Sequence, residues 1–165
     1  MEVAFTVHGT PQPKGSKRAF IMKGKKGKKP RASLAEANEK AKPWMQQVSQ
    51  AAGEAMGDRD LIDGPVELSV VAYMPRPKGH YRTGRFAGQA KPSAPLLHTT
   101  RPDLFKLVRG IEDALTGVIY RDDSQIAHAR ATKLYTCGGA HALVCVRAMD
   151  DSEGGLRSSE PVQGS

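Results

Sequence analysis

Aromatic residues are scarce in this chain, 5% of 165 residues with a single tryptophan. A core of packed rings is excluded, and burial falls to Val, Leu, Ile, Ala and Met, as suits a compact α/β domain. Cysteine is rarer still, at Cys137 and Cys145 only. Two thiols make no disulfide framework, and with His141 between them they offer three ligands where a structural zinc takes four. They read as core or edge thiols. No stretch reaches the roughly 18 apolar residues of a membrane span, and the opening MEVAFTVHGT lacks the charged-then-apolar plan of a signal peptide. A reduced, cytoplasmic setting without a membrane partner is expected.

Acidic residues are absent from positions 14–31, which carry nine of the 25 Lys and Arg. The rest of the chain has 16 basic against 17 acidic residues, so the formal charge of +8 resides in one segment. Each lysine that neutralises a phosphate releases condensed counterions. Lys14, Lys17, Arg18, Lys23, Lys25 and Lys26 therefore read as a polyanion-binding arm. A solvated charge run is the bland alternative. An acidic membrane surface would attract the arm too, but no apolar anchor adjoins it, which favours nucleic acid. RNA ranks below DNA because few aromatics are present to stack on bases.

At this length the chain is one domain, assigned to residues 1–149 with a disordered tail at 150–165. Val3, Phe5 and Val7 alternate as a half-buried strand. Ser33 to Glu36 fits a capping box, with Pro43 in the first turn of a renewed helix. Trp44, Val48, Ala51, Ala52 and Ala55 form its buried stripe, and Gly57 ends it. Val66 to Met74 alternates as the clearest strand. Residues 75–98, with Arg82 and Arg85, form a long basic loop of the kind usually kept for function. A helix over 103–115 follows, then strands near 126–136 and 142–148, joined through Gly138-Gly139 as a hairpin. The expected architecture is α/β (α+β), a mixed sheet of about four to five strands packed with two main helices.

Chemistry concentrates in RPDLFKLVRGIEDALTGVIYRDDSQI, residues 101–126. On a helical wheel Leu104, Leu107, Val108, Ile111, Ala114 and Leu115 form the core stripe. Lys106, Arg109 and Asp113 lie opposite, with Gly110 leaving a gap for a ligand. Asp103 fits an N-cap, Asp122-Asp123-Ser124 fits a turn, and Arg109 fits a surface pair with Asp113 at i+4. Taken together, Asp103, Asp122 and Asp123 also suggest a pocket for hard Mg²⁺, the cation that phosphodiester hydrolysis uses to neutralise its transition state. Phe105 is about 115° from the centre of the core stripe, where hydrophobicity does not explain it.

These residues resemble the RusA family of Holliday-junction resolvases, whose signature runs Pro/Arg-Asp-x-Asp-Asn-x-x-Lys, then Asp-Ala-Leu, then Asp-Asp-x-Gln-Ile/Val. VHGTPQPKGSKR and PKGHYRTGR extend the likeness, the latter toward phage members, across most of residues 3–148. The resemblance implies a homodimeric resolvase that cuts four-way DNA junctions symmetrically with Mg²⁺ or Mn²⁺. It carries the metal carboxylates onto Asp103 and Asp123, with Asp122 beside the latter, and the catalytic positions onto Asp103, Asp123, Arg109 and Lys106. The family asparagine becomes Lys106 and its lysine becomes Arg109. The second aspartate becomes Phe105, which removes a ligand and leaves a junction-binding protein without catalysis as the alternative. Glu112 is a poor substitute, about 10 Å further along the helix. Arg109 stays protonated and so is no general base.

Overall fold

The computed structural model describes residues 1–15 and 38–150 with their side chains, and 17–22 and 31–36 as strand backbone. Strands β1 (Glu2–His8), β4 (Val66–Pro75), β5 (Ile126–Thr136) and β6 (His141–Ala148) form a mixed sheet in the order β1-β6-β4-β5. β4 pairs parallel with β5, while the β1–β6 and β4–β6 pairs are antiparallel. A second sheet holds β2 (Lys17–Met22) and β3 (Arg31–Glu36). Two helices, α1 (Ala41–Met56) and α2 (Leu104–Leu115), complete the α+β architecture.

Both helices cover the same face of the four-stranded sheet. Val3, Val66, Leu68, Val70, Val144 and Val146 of the strands share one core with Trp44, Val48 and Ala52 of α1 and Val108, Ile111 and Leu115 of α2. On α2 the stripe Leu107, Ile111 and Leu115 is fully buried, each side chain contributing about 1.5–3 kcal/mol relative to exposure. The sequence places Leu104 in that stripe, and it lies only partly buried at the helix entrance. On α1, Trp44, Val48 and Ala52 are buried as expected, Ala51 and Ala55 half so, and Gly57 caps the C-terminus at φ 57°.

Two expectations change. The capping box at Ser33–Glu36 does not start a helix, because those residues lie in β3, paired in register with β2 from Lys17↔Glu36 to Met22↔Arg31. α1 begins at Ala41 instead, with Pro43 in its first turn. β5 and β6 are not a hairpin, because β4 lies between them and bonds to both. Gly138-Gly139 therefore carries the chain past the end of β4. The loop at 75–98 is tied to the sheet at its end. Tyr135 N–H donates to Leu96 O at 2.9 Å and His98 N–H to Lys133 O at 2.9 Å, so residues 96–98 extend the sheet along the outer edge of β5. The tail beyond 150 lies outside the described residues.

Candidate nucleic-acid interface

Asp103 occupies the N-cap position of α2, but its side chain makes no capping bond. The carboxylate lies instead 3.3 Å from Lys106 Nζ, three residues on, both side chains more than half exposed. Below it, Lys133 rises from β5 and donates to Thr100 O at 2.6 Å and to Pro102 O, tying down the strap that leads into the helix. Burial pulls the Lys133 pKa down, and the nearby Asp103 charge opposes that shift. Arg101, Asp103 and Lys106 line a hollow of about 620 Å³, closed on its other side by Thr10 to Pro13 and Asn38. Asn38 Nδ2 holds that wall by donating to Pro13 O at 2.9 Å. One carboxylate among three cations, beside the free N–H groups of a helix start, is a setting that attracts phosphate.

The other carboxylates gather toward the far end of the helix. Asp122 accepts the Ser124 N–H at 3.0 Å and is reciprocally capped by Gln125, in a single 3₁₀ turn at Asp123–Gln125. The Ser124 hydroxyl first, and then the Ser124 N–H, hold the Asp122 carboxyl below its ordinary range. Glu112 is pushed up, chiefly by burial and then by the charges of Asp123 and Asp113, against the pull of Arg109. Asp113 is ion-paired with Lys14, not with Arg109. Arg109 makes no ion pair among the described residues.

The structure keeps these two groups apart. From Asp103 to Glu112 the helix climbs about 13 Å. Along β5, the span from Ile126, three residues beyond Asp123, to Lys133, beneath Asp103, is about 23 Å. No group of three or more His, Cys, Asp or Glu among the described residues is placed to hold a metal ion. Asp103, Asp122 and Asp123 therefore do not form one three-carboxylate cluster within the chain. Phe105 is 82% exposed on the first turn of α2. The gap expected at Gly110 is filled by the chain itself: a β-carbon there would meet Lys14 N at 3.6 Å and Gln12 O at 3.7 Å.

Among the basic candidates, Arg82 and Arg85 flank Phe86, their guanidinium carbons 4.0 and 4.6 Å from its ring centroid. Lys17 and Arg18 lie in β2, and Lys23, Lys25 and Lys26 lie outside the described residues. Sequence reasoning missed Lys133, whose signal was a lysine on the inward-facing series Ala131, Lys133, Tyr135 of an alternating strand. It also set Glu112 aside by comparing it with Phe105, when its neighbour in space is Asp123.

Comparison with known proteins agrees with the motif. The family model for endodeoxyribonuclease RusA matches residues 9–146. A curated relative described as "Uncharacterized protein YqaN" from Bacillus subtilis (strain 168) is 33% identical over 134 residues, covering 81% of this chain and 88% of that one. No helix among the described residues is long and apolar enough to cross a membrane. A RusA match over most of the sheet, both helices and the Asp103 to Gln125 motif makes this chain a member of the RusA endodeoxyribonuclease family.

Proposed function

We propose that this chain, as a homodimer, binds four-way junction DNA in the manner of a RusA resolvase, and that its hydrolytic step is impaired. The carrying observation is Phe105, an exposed ring on the turn that also bears Asp103 and Lys106. The family places a carboxylate there, and Asp103 alone, against three cations, is a poor host for Mg²⁺. The same cations suit the phosphate backbone. Arg101, Lys106 and the helix start hold a phosphodiester at the hollow, Lys133 keeps their strap in place, and Arg82 and Arg85 extend the positive surface. The basic arm adds sequence-independent, salt-sensitive affinity.

A second reading, a working Mg²⁺- or Mn²⁺-dependent resolvase using Asp103 and Asp123 with Arg109 and Lys106, is favoured by one observation: the Asp103 carboxylate is not consumed by capping. One assay separates the two. A synthetic four-way junction is offered to the wild type, Phe105→Asp and Asp123→Asn with and without Mn²⁺. Binding without metal, no cutting by wild type and paired symmetric nicks by Phe105→Asp are expected. Wild-type nicking that is lost in Asp123→Asn would replace the first reading with the second, and failure to prefer junctions over linear duplex would end both.

A further inference from the structure

Phe105 is the most exposed large hydrophobic side chain among the described residues. Where the side chains of the other phenylalanines are described, they are covered: Phe5 packs against the core, and Arg82 and Arg85 lie over the ring of Phe86. Phe105 stands bare among charges instead. Arg101, Asp103, Lys106 and Arg109 are all exposed around it. Lys106 answers Asp103 at 3.3 Å, which leaves Arg101 and Arg109 without an ion pair among the described residues. Arg109 is one turn further along the same flank of α2, so its β-carbon lies about 5–6 Å from that of Phe105. A protein partner is a poor match for this patch, because the centres of protein interfaces are depleted of charge and here every exposed neighbour of the ring is charged. A flat heterocycle that carries its own phosphate matches both the ring and the guanidiniums.

We infer that Phe105 stacks on an unpaired nucleobase at the exchange point of the junction, while Arg109 on one side and the hollow of Arg101 and Lys106 on the other hold the neighbouring phosphates. Stacking on an aromatic ring accepts any base, because every base has a π-face. The ring therefore adds affinity for an exposed base without reading its identity. Drawing a base out of an intact duplex costs at least what one such stack returns, whereas a base that is already unpaired costs least. In an opened four-way junction the pairs that border the crossing keep a stacking neighbour on one side only. Phe105 thus separates branched from linear DNA, a distinction that counterion release along the backbone does not itself make. The exposed ring is then a contact for the DNA, and its solvent exposure in the free protein is relieved on binding.

This rests on the junction binding of the proposed function and names the side chain that selects the branch point. The test is a gel-shift titration of wild type and Phe105→Ala at one salt concentration without divalent metal. Three DNAs are offered: an intact four-way junction, the same junction with abasic residues in place of the bases bordering the exchange point, and linear duplex. On the intact junction Phe105→Ala is expected to bind about 10-fold more weakly, equivalent to about 1.4 kcal/mol and within the range of one base–aromatic stack. On the abasic junction and the duplex the expected loss is less than about two-fold, because no base meets the ring there. The side chain is exposed, so the variant folds, which circular dichroism checks. Phe105→Trp supplies a direct readout: it is expected to keep junction affinity, and its indole fluorescence should be quenched by the intact junction but not by the abasic one. The wild type, whose one tryptophan is the buried Trp44, is the blank. Wild-type affinity of Phe105→Ala for the intact junction, an equal loss on all three DNAs, or an unquenched indole would each overturn the inference and leave the proposed junction binding standing. A wild type that does not prefer the junction to duplex would overturn both.

Discussion

Replacing Glu67 by Gln tests the electrostatics of the sheet most directly. Its carboxylate is only 8% exposed, yet it receives Arg130 Nε and Arg147 Nη2, each at 2.9 Å, with His128 Nδ1 at 3.6 Å. Chiefly through the Arg147 bond, these partners hold the Glu67 carboxyl below its ordinary value of 4.5 despite its burial. Glutamine keeps the shape and one acceptor oxygen but loses the charge. A charge-assisted bond contributes about 1.5–3 kcal/mol, but the Arg130 and Arg147 side chains are 69% and 40% exposed and can turn to water. The expected loss at neutral pH is therefore about 1–2 kcal/mol, a fall in Tm of about 2–8 °C for a chain of this size. A carboxyl with a depressed folded-state pKa stabilises fully above its unfolded pKa, and that contribution disappears as pH falls through the folded value. The Tm gap between wild type and Glu67→Gln, followed by calorimetry, should be widest near pH 7 and should close with acidification below about pH 4. A gap that stays constant down to acid pH would show that packing, not charge, is what Glu67 supplies.

Other consequences can be measured alongside. Phe105→Asp, besides its effect on cleavage, exchanges an exposed ring for a carboxylate in the first turn of α2, and should raise stability by about 0.3–1 kcal/mol through the helix dipole, read as a small increase in Tm. Gly110→Ala should be tolerated or stabilising by up to about 1 kcal/mol, since helix propensity favours Ala and the new β-carbon finds only ordinary contacts at 3.6–3.8 Å; a clear drop in the urea midpoint would contradict this. Lys133→Met should cost about 1 kcal/mol by releasing the Thr100 and Pro102 carbonyls, and should weaken junction binding in a gel-shift titration because the strap bearing Arg101 and Asp103 loosens. Arg82→Ala and Arg85→Ala should each reduce the slope of log K against log salt by about 1 if they meet phosphates; an unchanged slope would remove the loop from the interface.

The sequence by itself determined what depends on near neighbours along the chain. The spacing of Leu107, Ile111 and Leu115 specifies a one-sided helix, the alternation of Val66, Leu68 and Val70 specifies a strand, Gly57 stops α1, and the order of Asp103, Asp113 and Asp122-Asp123 carries the family. Even the oddity of Phe105 was legible, because a wheel needs only local geometry to place a ring away from the core. The tertiary structure alone decided which distant segments meet. It inserts β4 between β5 and β6, since pairing follows the shared core and not the shortness of a turn. It fills the space over Gly110 with residues 12–14, gives Asp113 to Lys14, and surrounds Glu67 with cations from two neighbouring strands. It also fixes the separation of Asp103 from Asp123, because a helix and a strand running between them act as rigid rods whose lengths no motif spacing reports.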